Sequence, residues 1–260
     1  MRNYCTFMQK ELMENLRTKN VLVLACVFAF FAILSPLMAR YLPELMGFLT
    51  GGDEVTRVML EMIPEPTFGD SYAGFFGNMA QIGAITVILV YMSSVLREKR
   101  TGTADIMLTK GLKMREFVLA KYTVAAGIII VATFLSILVT YVYTMLLFGE
   151  AGQIGNVIIS GFAFTVFLLM FLAITLMFSS FAKGTGSSAV FSLLTYFLLS
   201  ITLISARIGP YSPASLMVTP IQISQGVTPD GVFGSIIVSV VIMVLTLWAA
   251  IRLTAKRQIV

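Results

Sequence analysis

The run Tyr122–Phe148, YTVAAGIIIVATFLSILVTYVYTMLLF, carries no charged side chain and no proline. About 20 helical residues cross the roughly 30 Å hydrocarbon core of a bilayer, and this run exceeds that length. It is apolar on every side rather than along one stripe, so a helix built from it has no face that prefers water. The polar/apolar alternation of a membrane β-barrel strand is absent. In lipid the backbone must satisfy its own hydrogen bonds, which makes the run a transmembrane helix.

Five other runs read the same way: residues 21–39, 75–96, 157–182, 188–205 and 234–253. With 122–148 they make six spans within a single membrane domain, 21–253, preceded by residues 1–20 and followed by a short tail, 254–260. The expected fold is therefore an all-α integral membrane protein. Composition agrees: the 260 residues are 58% hydrophobic and 12% charged, against about 45–50% and roughly 25% in soluble domains. Mean hydropathy is +0.92.

Lysine and arginine sort the connections into two sets. Fifteen of the 18 lie in residues 1–20, 97–121, 183 and 252–260, whereas Arg40, Arg57 and Arg207 lie on the opposite side. The acids divide the other way, eight of 13 falling on the side poor in lysine and arginine. Basic loops stay inside, so both termini are expected in the cytoplasm. The N-terminal segment mixes Arg2, Lys10, Arg17 and Lys19 with acids, and no small-residue cleavage site follows Phe31, so the first span is not read as a removable signal.

The chain has no histidine and two cysteines, Cys5 and Cys26. Imidazole-based catalysis and histidine zinc sites are excluded, and no disulfide framework or cysteine metal site is available. No span holds a charge near its middle, where proton and ion pathways place one. Gln81 is the strongest polar group inside. An ion-coupled carrier or an intramembrane enzyme thus has few residues to work with. Lys183–Ser187 (KGTGS) lacks the order of a phosphate-binding loop and reads as an inner turn. If ATP drives this protein, another polypeptide hydrolyses it.

Three segments outside the spans carry further pattern. In residues 1–20, Tyr4, Met8, Leu12 and Leu16 recur at helical spacing, with Asn3, Lys10, Glu14 and Arg17 opposite. That pattern predicts a helix lying in the interface with its basic side toward headgroups, or a simple topogenic anchor. On the outer side, Val55, Val58, Met59, Met62 and Ile63 predict a second interfacial helix between Asp53 and Pro64. Residues 97–111, REKRTGTADIMLTKG, read as a short capped helix. Thr103 is its N-cap, Asp105 lies in the first turn, Lys110 in the last, and Gly111 is the left-handed stop. Ala104, Met107 and Leu108 share one face. Such a knob suits either docking into a cytoplasmic partner or resting on anionic headgroups. Residues 206–233, with Pro210, Pro213, Pro220 and Pro229, read as two re-entrant or interfacial half-helices or as a plain outer loop.

These residues together resemble the membrane subunit of ABC-2 type ABC transporters, permeases encoded separately from their ATPase. The resemblance is carried by Glu98 followed by Gly102-Thr103, by Met107-Leu108-Thr109-Lys110, by Arg115-Glu116-Phe117-Val118-Leu119 and by Lys121. Lys10-Glu11, Arg17-Thr18, Ser35-Pro36-Leu37 and Leu42-Pro43-Glu44 resemble bacterial members. Gly111 stands where many members have proline, and Lys113 where serine is common.

The resemblance implies that residues 1–20, including Tyr4, Met8, Glu11, Leu12, Leu16 and Arg17, form an interfacial connecting helix. Residues 98–111 would be the coupling helix in a cleft of the ATPase, using Glu98, Gly102, Thr103, Ala104, Met107, Leu108, Lys110, Gly111 and nearby Arg115. Glu98 is similar to an acidic residue that pairs with basic groups near that interface. Pro210, Pro213 and Pro220 would belong to short outer helices that gate the path. The implied protein is a permease in the bacterial cell membrane and binds no cofactor itself, ATP and Mg being held by two ATP-binding subunits. A second copy or a paralogous permease and membrane lipids complete its partners, with no nucleic acid. The cargo expected from uncharged spans is amphipathic: a drug, peptide or lipid-like compound. A sensor or assembly factor of an ABC ATPase is the alternative, followed by an ion-coupled secondary carrier.

Overall fold

Residues forced to satisfy their backbone internally all become helix, and no strand occurs among the described residues of the computed structural model, which are 2–49, 65–103, 109, 111 and 113–256. Six helices are long and apolar enough to cross a membrane: Asn20–Leu42, Phe68–Arg100, Met114–Phe148, Ile154–Phe181, Thr185–Ile204 and Val232–Ala255. Each of the six expected runs falls on one of them. The helices overrun the apolar runs at several ends because polar residues propagate a helix once lipid has nucleated it.

The elements in chain order are α1 (Arg2–Arg17), α2 (Asn20–Leu49), α3 (Phe68–Asn78), α4 (Ala84–Tyr91), α5 (Ser94–Arg100), α6 (Met114–Phe148), α7 (Ile154–Phe181), α8 (Thr185–Ile201), α9 (Thr219–Ser224) and α10 (Val232–Lys256). The second span is compound. A π-helical turn, Met79–Gly83, joins α3 to α4, and a break at Met92–Ser93 separates α4 from α5.

Helix α7 is the hub and packs on α6, α8, α9 and α10 as well as the second span. Its lack of an amphipathic stripe is the reason: a helix apolar all round is stable where neighbours surround it. Phe164, Phe167 and Phe171 are fully buried. They continue a ladder of ring contacts from Phe76 through to Tyr196, with centroids 5.0–5.9 Å apart. Gly161 lets α6 approach; a Cβ there would stand 2.6 Å from Ile137 Cδ1. Small and hydroxylated residues at such contacts let helices close up without a hydrophobic drive. Ser71 and Thr144 bond between α3 and α6 at 2.6 Å, and the Tyr72 hydroxyl donates to the Ala151 carbonyl at 2.9 Å.

Residues 206–233 contain short helices rather than a plain loop. A 3-10 turn, Pro213–Met217, and α9 each begin with a proline at the first or second helical position, where its missing N–H costs nothing. Ala214, Leu216, Met217 and Ile223 are buried, and the pair packs among α3, α7 and α10. Irregular backbone is thus covered by protein. The expected outer helix at 53–64 lies outside the described residues.

Candidate functional site

Helix α1 is held to the bundle by its polar face. Phe7, Glu11 and Asn15, one turn apart, are buried, while Leu12 and Leu16 are exposed. Lys10 and Glu14, on the face expected toward headgroups, are about one-third exposed, at 35% and 34%. A lone carboxylate at Glu11 could not be buried without a partner, and α6 brings it one. The Lys121 ammonium of α6 donates to both Glu11 oxygens, at 3.0 and 2.9 Å, and lies 3.2 Å from Glu98 Oε1 of α5. Lys10 reaches the same Glu98 oxygen and also contacts Glu14 at 2.7 Å and Glu11 at 3.0 Å.

Aromatic rings close the base of this cluster. Phe7 and Phe117 stack with centroids 5.6 Å apart. Lys10 lies 5.3 Å from the Phe7 centroid and Lys121 5.4 Å from that of Phe117, where the ring faces attract the cations. The arrangement joins α1 to two elements far downstream in sequence. Those two, α5 and α6, are the helices on either side of residues 101–113.

The far side of α5 is held by α7. The break before α5 leaves the amides of Val95 and Leu96 without intrahelical partners, and Ser179 Oγ accepts both at 3.2 Å. Lys99 Nζ donates to the Ser180 carbonyl at 2.8 Å, and the Arg100 guanidinium donates to the Lys183 carbonyl. Helix α5 is therefore clamped from two sides, and so is the root of the segment it leads into.

Electrostatics act in opposite directions on the two buried carboxylates: burial works against the charge on Glu98, but Lys121 and Lys10 outweigh it and lower its pKa, whereas that of Glu11 is raised. Three carboxylates, Glu11, Glu14 and Glu98, face two ammonium groups. Burial raises the Glu11 pKa above its ordinary 4.5, Glu98 adding to this and Lys121 opposing it. Burial works against the charge on Lys10, but its hydrogen bonds to Glu14 and Glu98 outweigh that and raise its pKa. The three carboxylates lie close enough to suggest a metal ion. The Lys10 ammonium contacts all three, so the charge an ion would supply comes from the chain itself. Glu98 Oε2 and Tyr91 Oη are buried with no hydrogen bond among the described residues; both residues line a cavity of about 40 Å³ beside the cluster.

The other anticipated residues are placed as follows. Gly102 and Gly111 have φ of +70° and +90°, backbone that glycine adopts without strain. Thr103, expected as an N-cap, is itself helical, and its hydroxyl bonds that of Thr101 at 2.7 Å. Ala104, Asp105, Met107, Leu108 and Lys110 lie outside the described residues. Arg115 is exposed in the first turn of α6. Tyr4 bonds Thr123 Oγ1 at 3.2 Å, Met8 packs on the core, and Arg17 is exposed. Pro213 and Pro220 are buried and Pro210 is exposed.

A six-span all-helical chain with this N-terminal clasp has a match. The family described as "ABC-2 family transporter protein" matches residues 5–230. The chain belongs to the ABC-2 transporter family. The match runs from α1 through the buried outer helices, so the clasp lies inside it. No curated protein matches the chain. Members of this family are multi-pass membrane subunits rather than catalytic ones, and membership implies an ATP-binding partner subunit.

Reading the sequence for site residues singled out Glu11 and Glu98, placed Lys10 and Glu14 on the face toward headgroups, and gave no role to Asn15 or Ser179. The signal for Lys10, Glu14 and Asn15 was present: Phe7, Glu11 and Asn15 recur at i+4, and Lys10–Glu14 is an i,i+4 pair. For Ser179 there was none, because its role depends on a helix break elsewhere.

Proposed function

We propose that this ABC-2 protein is the permease of an ATP-driven exporter, moved by its ATPase through residues 98–111. The observation that carries this reading is the Lys10–Glu11–Glu98–Lys121 network. It fastens α1 to the two helices flanking that segment, so a push on the segment moves α1, α5 and α6 as one body. Both termini lie in the cytoplasm on this reading, the clasp with them, and the assembly comprises two permeases with two ATP-binding subunits.

The path runs between the two permeases along the second span. Gln81 is exposed there in the π-helical turn and its side-chain amide makes no hydrogen bond among the described residues, with half-buried Gly74, Gly77 and Asn78 on the preceding turns. An unpaired amide in hydrocarbon costs roughly 4–8 kcal/mol, so this face meets water or protein rather than lipid tails. The absence of charge suits an amphipathic cargo.

The test is co-expression with the ATP-binding protein encoded beside it and purification in detergent. The ATPase co-elutes with the wild type, and the double substitution Met107→Asp with Leu108→Asp releases it. Co-elution that survives both changes ends the coupling proposal.

A further inference from the structure

Between α1, the start of α2 and the cytoplasm-proximal half of α6 lies an apolar groove of about 400 Å³. Leu12, Leu16, Val21, Gly127, Val131 and Leu135 are among its walls. Thr123 is its one polar liner, and that hydroxyl is already engaged by the Leu119 carbonyl at 2.8 Å and by Tyr4. The groove thus offers its occupant no free hydrogen bond and suits a hydrocarbon chain. Along α6 it runs from Thr123 to Leu135, a rise of about 18 Å, close to half of the roughly 30 Å hydrocarbon core. That is the depth of one leaflet.

The end of the groove bounded by Leu16 and Val21 brackets the turn that bears Arg17 and Lys19, both exposed. Glu14, the nearest acid on α1, is turned to Lys10. Lys19 has φ of +62°, a backbone state that costs an ordinary residue roughly 1–2 kcal/mol and glycine almost nothing. The turn accepts that strain and thereby has a cation at the lip.

We infer that this groove is a binding site for one anionic phospholipid of the inner leaflet. Its acyl chain lies along α6 and its phosphate is held by Arg17 and Lys19. The inference needs only that the chain crosses a membrane with α1 on the cytoplasmic side, so it stands or falls apart from the ATPase reading.

The test uses full-length protein in detergent, titrated with dioleoyl phosphatidylglycerol or dioleoyl phosphatidylcholine and read by native mass spectrometry. One phosphatidylglycerol per chain is retained in preference to phosphatidylcholine, and inorganic phosphate does not displace it. Arg17→Gln with Lys19→Gln weakens the anionic lipid about thirtyfold, from roughly 1 kcal/mol per basic residue. Gly127→Phe fills the groove, where an added Cβ meets nothing within 4 Å, and abolishes retention of both lipids with the melting temperature unchanged. Equal retention of the two lipids by the wild type overturns the proposal. So does undiminished phosphatidylglycerol in Gly127→Phe, or a variant that changes only the oligomeric state, which would assign the groove to a second copy. Should Gly127→Phe fail to fold, the Arg17/Lys19 variant at exposed positions decides alone.

Discussion

Lys121 meets two carboxylates in a site nearly closed to water, its side chain 3% exposed against 4% for Glu11 and 6% for Glu98. Such a pair adds little net stability, because desolvation offsets the attraction, yet removing Lys121 leaves two buried carboxylates with only the partly exposed Lys10 to match them. Lys121→Met is therefore expected to cost roughly 3–5 kcal/mol, read as a lower melting temperature of the detergent-solubilised protein. Adding Glu11→Leu to that variant recovers part of the loss. An unchanged melting temperature for Lys121→Met would contradict the burial described above. The pH dependence follows from Glu11. Its pKa is higher folded than unfolded, so the folded state binds the proton more tightly. That contribution is complete below about 4.5 and is lost as pH rises through the raised folded value. Hydrogen exchange of α1, corrected for intrinsic rates, should show greater protection at pH 5 than at pH 8. Glu11→Gln, which cannot ionise, should flatten the difference.

Among the elements, the second span departs most from a plain helix. Its π-helical turn interrupts the usual bonding, and the Tyr196 hydroxyl of α8 donates to the Ala80 carbonyl there at 3.0 Å. Tyr196→Phe removes that bond, at a cost of roughly 0.6–1.7 kcal/mol by the scale of interhelical bonds in membranes. Thermal unfolding measures it. At the α6–α7 crossing, Gly161→Leu drives a side chain into Ile137 and is expected to cost about 1–3 kcal/mol; Gly127→Leu, on the open side of α6, should be nearly neutral by the same assay. Which glycine is a contact and which faces open space is a matter of helix rotation, and rotation depends on partners.

For the whole molecule, an even number of crossings implies both ends of the chain on one side, and the charge count predicts that side to be the cytoplasm. Single cysteines at positions 17 and 230, in a background with Cys5 and Cys26 replaced, provide the check with a membrane-impermeant thiol reagent in intact cells. Position 230 reacts and position 17 does not; the reverse result would invert the topology. Helices α8 and α10 bury the least surface within the single chain, which leaves broad apolar faces for lipid or for a second permease.

The sequence by itself determined the fold class, the six spans and the separation of basic from acidic loops. Each rests on the cost of placing polar groups in hydrocarbon, which acts residue by residue and needs no knowledge of neighbours. It also carried the resemblance to the ABC-2 permeases. Tertiary structure alone decided that Glu11 and Asn15 of α1 turn inward, that Lys10 and Lys121 share Glu98, that Ser179 caps a helix on another span, and that the second span passes through a π-turn at Gln81. Periodicity identifies an amphipathic helix without saying whether its charged face meets water or three carboxylates and two ammonium groups brought together from α1, α5 and α6. Charge neutralisation across elements is a property of the assembled chain, and no single stretch of residues contains it.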